Sequence, residues 1–142
     1  MLVLYPECRD QHLSEYMGCV NCVFLCNYNT LYTPRLAVAK LPAITRDTIL
    51  QLAKGRGLRV EETPIDINEL FEGAANGRYR EAFACGTAAV ISPIGSLKRA
   101  EGEAVFGDGK TPGEVTLMLK KTLTDIQTGR SNDEHGWVHR IV

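Results

Sequence analysis

Two short stretches of the chain carry residue types suited to binding an anion. Residues 41–46, Leu-Pro-Ala-Ile-Thr-Arg, run into a segment with helical periodicity. The first amides of a helix have no partner within it, so those of Ile44 and Thr45, with the Thr45 hydroxyl, suit a phosphate or carboxylate. Residues 86–88, Gly-Thr-Ala, add the hydroxyl of Thr87 beside small residues that let a ligand approach the backbone. Each stretch alone is weak evidence, because every helix has an N-terminus and Thr45 can simply be its cap.

Five further side chains could act as acids, bases or nucleophiles: His12, Glu15, Tyr16, Cys19 and Cys85. Their spacing identifies no cysteine–histidine pair, and a cysteine in a strand is usually a small buried hydrophobe. If the protein catalyses a reaction without a cofactor, Tyr16 and Cys19 are the candidate catalytic residues.

A metal site is not predicted. Cys19 and Cys22 have the spacing of a zinc-binding pair, but their surroundings have the pattern of a strand, which points the two side chains to opposite faces. No second pair of ligands follows at zinc-binding spacing. The five cysteines are an odd number without the spacing of a disulfide framework, so we expect reduced thiols.

Composition limits the class of protein. With 142 residues, 44% of them hydrophobic, the chain can form one globular domain with its own core. Its 16 basic and 17 acidic residues nearly cancel and form no basic block, which argues against nucleic acid or an anionic membrane as a partner. The start resembles no signal peptide, and no apolar run reaches the roughly 18 residues of a membrane span. We therefore expect a cytoplasmic protein with a small-molecule or protein ligand.

Strands are predicted first and helices later. Apolar runs between turn residues predict strands at residues 2–5, 12–16, 19–27, 31–33, 58–64, 80–84 and 89–94, with hairpins at 27–30 and 102–109. Three helices are predicted: one from Thr45 to about Gly57, one capped by Asp66, and one that opens with a capping box at residues 111–114 and ends at Gly129. This order indicates a mixed α+β fold rather than a regular doubly wound sheet.

In this order the stretches resemble the C-terminal half of the branched-chain amino acid aminotransferases, class IV enzymes of pyridoxal-phosphate fold type IV. Residues 41–47 are similar to the family's Leu-Pro-Gly-Ile-Thr-Arg segment, and residues 80–88 to its Arg-Glu-x-Phe-x-x-Gly-Thr-Ala strand. Residues 123–130 and 135–137 resemble its C-terminal helix and tail. The resemblance implies that residues 1–142 form one domain, a β-rich pseudo-barrel flanked by helices.

The resemblance also implies roles for individual residues. Ile44, Thr45 and Thr87 would contact the cofactor phosphate, Leu41 would pack on the pyridine ring, and Thr87 with Ala88 would face the substrate carboxylate. Family enzymes hold the cofactor between two domains and usually form dimers. We therefore expect a homodimer or a complementing chain that carries the N-terminal domain.

Several departures from the family pattern bear on activity. The family's Schiff-base lysine, its phosphate-binding arginine and its N-terminal domain precede the segment that resembles this chain, so we expect no covalently bound cofactor unless a partner chain supplies the lysine. Aligned on Gly18 and Asn21, Tyr16 replaces the glutamate that keeps the pyridine nitrogen protonated. Cys19 replaces a threonine, and Ala43 replaces the glycine of the phosphate loop, which would narrow the approach of a phosphate.

Three functions remain open. The preferred hypothesis is a protein that does not transaminate by itself and reuses the vestigial pocket for a small acidic ligand, with cofactor-independent catalysis as one form of that reuse. The second is a non-catalytic binding or dimerisation module. The third is one half of a split pyridoxal-phosphate-dependent aminotransferase, for which Tyr16 is hard to explain.

Overall fold

The computed structural model describes residues 2–3, 21–36, 43–139 and 141. Its strands are β1 (Leu2–Val3), β2 (Asn21–Cys26), β3 (Thr30–Thr33), β4 (Arg59–Glu62), β5 (Tyr79–Gly86), β6 (Val90–Ile94), β7 (Ser96–Arg99) and β8 (Gly102–Val105). Its helices are α1 (Ile44–Gly55), α2 (Ile67–Ala75) and α3 (Glu114–Gln127). The mixed α+β class predicted from the sequence is confirmed.

A five-stranded sheet forms the middle layer, in the order β4-β3-β2-β5-β6. Helices α1 and α3 pack on one face, around a core that includes Ile49, Phe83 and Leu123. Helix α2 and the second sheet, of order β1-β7-β8, pack on the other face, around a core that includes Phe24 and Leu70. Each face of the middle sheet is therefore covered.

Strand β2 is buried on both faces, and its sequence explains why. All six residues, Asn-Cys-Val-Phe-Leu-Cys, are buried. Phe24 belongs to the core beside α2, whereas its neighbours Val23 and Leu25 belong to the core beside α1 and α3. Side chains alternate between the faces of a strand, so a continuous apolar run suits a strand covered on both sides.

Strands β3 and β4 are parallel, and α1 connects them. In such a β-α-β unit the helix starts near the carboxyl ends of the strands that it connects. The carboxyl ends of β3 and β4 are Thr33 and Glu62. The first turn of α1, which holds Ile44 and Thr45, therefore lies beside these strand ends.

Several predicted elements are confirmed. Asp66 caps α2, since its Oδ1 accepts hydrogen bonds from the amides of Asn68 and Glu69 at 2.7 and 3.1 Å. The turn between β2 and β3 places Asn29 at a φ of 53°, a left-handed conformation that asparagine tolerates. The strand predicted at residues 12–16 lies outside the described residues.

Two predicted elements are wrong in detail. The hairpin predicted at residues 102–109 is formed instead by β7 and β8, with Leu97 opposite Ala104. Of the predicted range, residues 102–105 form the second strand of this hairpin and the glycines after β8 lie in the loop before α3. The capping box at residues 111–114 does not form, because the Thr111 hydroxyl donates to Asp108 and α3 begins only at Glu114.

Helix α3 is capped by a residue far away in the sequence. The Glu81 carboxylate, on β5, accepts hydrogen bonds from the amides of Val115 and Thr116 at 3.2 and 2.8 Å, and from the Thr116 hydroxyl at 2.7 Å. Gly113, the N-cap residue, lies so close to Glu81 that an added Cβ would overlap the carboxylate. Glycine is therefore required there by space, since its φ of −69° suits any residue.

The substitution Gly113→Ala should lower the free energy of unfolding by about 1 to 3 kcal/mol, because the methyl group would displace Glu81 from the amides of α3. Urea denaturation measures this change. Gly55→Ala is the control, because an added Cβ meets nothing within 4 Å at that helical position. Equal effects of the two substitutions would contradict this explanation of Gly113.

The loop before α3 gives stability a dependence on pH. Asp108 accepts hydrogen bonds from the hydroxyl and amide of Thr111 and from the amide of Lys110, and these lower its pKa from 3.8 to about 2. A lowered carboxyl pKa contributes stability that is complete above the ordinary pKa and is lost as pH falls toward 2. The free energy of unfolding should therefore fall less between pH 4 and pH 2 in Asp108→Asn than in the wild type. An identical fall in both proteins would remove Asp108 from this role.

Candidate functional site

The start of α1 has amides without an internal partner. The first amide bonded within the helix is that of Asp47, which donates to the carbonyl of Ala43 at 3.1 Å. Within the described ranges, no side-chain oxygen accepts a hydrogen bond from the amides of Ile44, Thr45 or Arg46. These amides lie at the positive end of the helix dipole, where an anion is stabilised.

The other two helices show what normally fills this position. The Asp66 carboxylate accepts hydrogen bonds from the first amides of α2, and the Glu81 carboxylate accepts them from the first amides of α3. Helix α1 begins instead after Ala43, whose side chain has no acceptor. Among the three described helices, α1 is the one whose start suits an external anion.

The replacement of the family's glycine by Ala43 requires no unusual backbone. Ala43 has φ −89° and ψ 118°, an extended conformation open to any residue. The expectation that alanine narrows the approach of a phosphate therefore rests on its methyl group alone.

A cavity of about 290 Å³ adjoins the first turn of α1. It lies between α1, the end of α3 and the tail of the chain, and its lining residues are Ile44, Thr45, Asp47, Thr48, Leu123, Ile126, Gln127, Trp137 and Val138. Its walls combine apolar side chains with two threonine hydroxyls, an amide and a carboxylate. Such a lining suits a small molecule with an apolar part and a few polar groups.

The predicted site residues are only partly brought together. Ile44, the first residue of α1, is 85% exposed, and Thr45 is half-buried. Both residues line the cavity. Thr87 and Ala88 are exposed in the turn between β5 and β6 and are not part of the cavity lining. Leu41, Tyr16 and Cys19 lie outside the described residues.

Cys85 does not reach the candidate site. Its side chain is fully buried in the core beside α1 and α3. Packing in the core therefore explains why this cysteine is present.

In the part of the chain that the structure describes, no group of three or more potential metal ligands is present. Among the same residues, no helix has the length and apolar character needed to cross a membrane.

The turn that carries Thr87 and Ala88 ends on a strained residue. Val90 has a φ of 53°, although it is β-branched and pairs with Gly86 across the turn. A left-handed backbone at such a residue costs on the order of 1 to 3 kcal/mol, and strain of this kind is found preferentially at ligand sites. The turn is therefore held in one conformation by its surroundings.

Sequence reasoning missed the role of the tail. Trp137 lines the cavity and stacks on His135, with ring centroids 4.0 Å apart and planes 9° apart. The Asp133 carboxylate accepts hydrogen bonds from the amide of Val138 at 2.6 Å and from the amide of His135 at 3.1 Å. These bonds lower the pKa of Asp133. The single tryptophan in a polar tail was the signal available in the sequence.

Known proteins are similar to this chain in sequence and in fold. A family model described as amino-transferase class IV matches residues 10–97. A branched-chain-amino-acid aminotransferase of Mycolicibacterium smegmatis is 43% identical over 98% of this chain, and one of Mycobacterium tuberculosis is 44% identical over the same share. The chain spans 38% of the length of each of these relatives.

Solved structures agree with this assignment. A branched-chain amino acid aminotransferase from Escherichia coli is 31% identical, with a TM-score of 0.73 over 89% of this chain and 38% of that one. An enzyme of the same name from T.th., solved with pyridoxamine 5'-phosphate, is 27% identical, with a TM-score of 0.74 over 91% of this chain and 38% of that one. The chain therefore belongs to the class IV aminotransferases, and the relatives that it matches are branched-chain amino acid aminotransferases.

Proposed function

We propose that this chain forms the phosphate-binding wall of a pyridoxal-phosphate pocket in a branched-chain amino acid aminotransferase. The anchoring lysine would come from outside these 142 residues, in further length of the same polypeptide or in a partner chain. The observation that carries the proposal is the start of α1, where no described residue gives the amides of Ile44, Thr45 and Arg46 a capping carboxylate like those of α2 and α3. The names of the relatives supply the substrate class.

The residues present fit the phosphate of this cofactor. Ile44 and Thr45 would donate backbone amides, and the hydroxyls of Thr45 and Thr87 would donate further hydrogen bonds. A phosphate placed there gains from the helix dipole and needs no cap of its own. The strain at Val90 supports the turn as a ligand contact, because it fixes the position of Thr87.

The chain's own groups would bind and orient rather than transfer protons. Pyridoxal phosphate, when bound, supplies an electron sink for charge that develops at the substrate α-carbon. Thr87 and Ala88, at the exposed turn after β5, would receive the substrate carboxylate. Holding the phosphate and the carboxylate at two fixed points sets the orientation of the substrate, which is where such a scaffold contributes to rate.

A second candidate function rests on Tyr16. A phenol has an ordinary pKa near 10, so it stays neutral at pH 7 and cannot keep a pyridine nitrogen protonated as a carboxylate does. This favours a protein that binds a small phosphorylated or carboxylic acid at the same place without transamination. The two candidates share the anion site and differ in amino transfer.

Amino transfer and covalent attachment separate the candidates. The isolated chain should bind pyridoxal phosphate without fixing it to one lysine, measured by absorbance before and after borohydride and by peptide mass spectrometry. Adding the lysine-bearing N-terminal region of a relative as a separate polypeptide should then produce amino transfer from a branched-chain amino acid to a 2-oxo acid. Binding without transfer in the completed pair would favour the second candidate, and a single lysine fixed in the isolated chain would contradict both.

Thr87→Val and Thr45→Val should each weaken the binding of pyridoxamine 5'-phosphate by about 1 to 3 kcal/mol, the effect of losing one hydrogen bond to a charged group. Pyridoxamine, which lacks the phosphate, should bind these variants and the wild type equally. Calorimetric titration measures both ligands. Thr128→Val is the matched control, since that exposed hydroxyl bonds to the Thr124 carbonyl and does not line the cavity. An unchanged affinity for the phosphorylated ligand would remove the substituted threonine from the site.

The single tryptophan reports occupancy of the cavity. Bound pyridoxamine 5'-phosphate should quench the emission of Trp137 with saturation, because Trp137 and Thr45 line the same cavity. Pyridoxamine, which lacks the phosphate, should need a higher concentration to reach the same quenching. Trp137→Phe should remove the signal and keep the calorimetric affinity within about threefold, since it conserves most of the apolar wall. Saturable binding without quenching would place the ligand elsewhere.

A further inference from the structure

Arg46 is a buried cation in the first turn of α1. Its residue surface is 3% exposed. One nitrogen, Nη2, donates to the carbonyl of Pro34 at 3.0 Å and to Oε2 of Glu62 at 2.8 Å. The Nε atom is buried and has no hydrogen-bond partner among the described residues. The guanidinium is therefore held by two fixed contacts rather than by solvent.

These contacts join the helix start to the carboxyl ends of two parallel strands. Pro34 directly follows β3, and Glu62 is the last residue of β4. Arg46 follows Thr45 by one residue, so its side chain links the turn that carries the Ile44 and Thr45 amides to both strand ends. A shift of that turn would break both contacts of Nη2.

Stability does not explain an arginine at this position. A positive charge in the first turn opposes the helix dipole and destabilises the helix itself. Burying a guanidinium costs desolvation, and an Nε without a hydrogen-bond partner among the described residues adds to that cost. An apolar side chain would avoid both costs at this buried position. What arginine adds is a directional contact that fixes the helix start.

We infer that Arg46 is a positioning residue, which together with Glu62 sets the first turn of α1 so that its amides converge on one anion. The nature of the anion rests on the proposed function, whereas the positioning itself does not. The Arg46 side chain touches neither ligand nor reacting atoms in this assignment. Its effect on binding passes through the backbone of Ile44 and Thr45.

The test uses Glu62→Gln, which removes the charge partner and keeps a hydrogen-bond acceptor. Glu61→Gln is the control, since it removes the same charge from the neighbouring residue on the opposite face of β4. Arg46→Lys is the second variant, because an ammonium keeps the charge and loses the planar fork of the guanidinium. Two quantities are measured in the whole chain: amide hydrogen exchange at Asp47 relative to Ala53, and the ratio of dissociation constants for pyridoxamine and pyridoxamine 5'-phosphate.

Glu62→Gln and Arg46→Lys should speed exchange at Asp47 by about three- to tenfold relative to Ala53, and should lower the dissociation-constant ratio by a similar factor. Glu61→Gln should change neither quantity. Faster exchange at Asp47 in a chain whose wild type binds neither compound would support positioning and contradict the proposed function. Unchanged exchange, or an equal increase at Asp47 and Ala53, would overturn the inference, because Arg46 would then have no local effect or a purely global one.

Discussion

The amides at the start of each helix must find an acceptor, and this requirement organises the molecule. Asp66 satisfies it for α2 from the adjacent residue, and Glu81 satisfies it for α3 from the middle sheet. The second solution also connects α3 to β5, which explains why a glycine must stand at position 113. Helix α1 differs, because no carboxylate of the described residues accepts a hydrogen bond from its first amides, which leaves them open to an external anion.

Placing an open helix start at the carboxyl ends of β3 and β4 has a structural cost. The helix loses the stabilisation of a cap and carries a buried arginine against its dipole. Glu62 and the carbonyl of Pro34 offset that cost locally. Replacing a buried ion pair by apolar residues is often neutral or stabilising, and the proposed positioning role of Arg46 accounts for the arginine at this place.

Membership of the class IV aminotransferases does not by itself establish amino transfer by this chain. The proposed function assigns the phosphate to the Ile44-Thr45 segment and the substrate carboxylate to the Thr87-Ala88 segment. The chain departs from the family at Tyr16, where electronic control of the cofactor would reside. A scaffold can keep an anion site while its chemistry depends on residues supplied elsewhere, because the phosphate and the reacting carbon are separate groups of the cofactor and are held by different residues.

The sequence by itself determined the features that depend on neighbours along the chain. The apolar run of β2, the Asp66 cap and the start of α1 beside Ile44 were all predicted, because periodicity and end signals act within a few residues. Tertiary structure alone decided that Glu81 caps α3 and that Trp137 closes a cavity over α1. The bond of Arg46 to Glu62 is of the same kind. Each joins residues far apart in sequence, so it depends on how the sheets and helices pack, which no local pattern encodes.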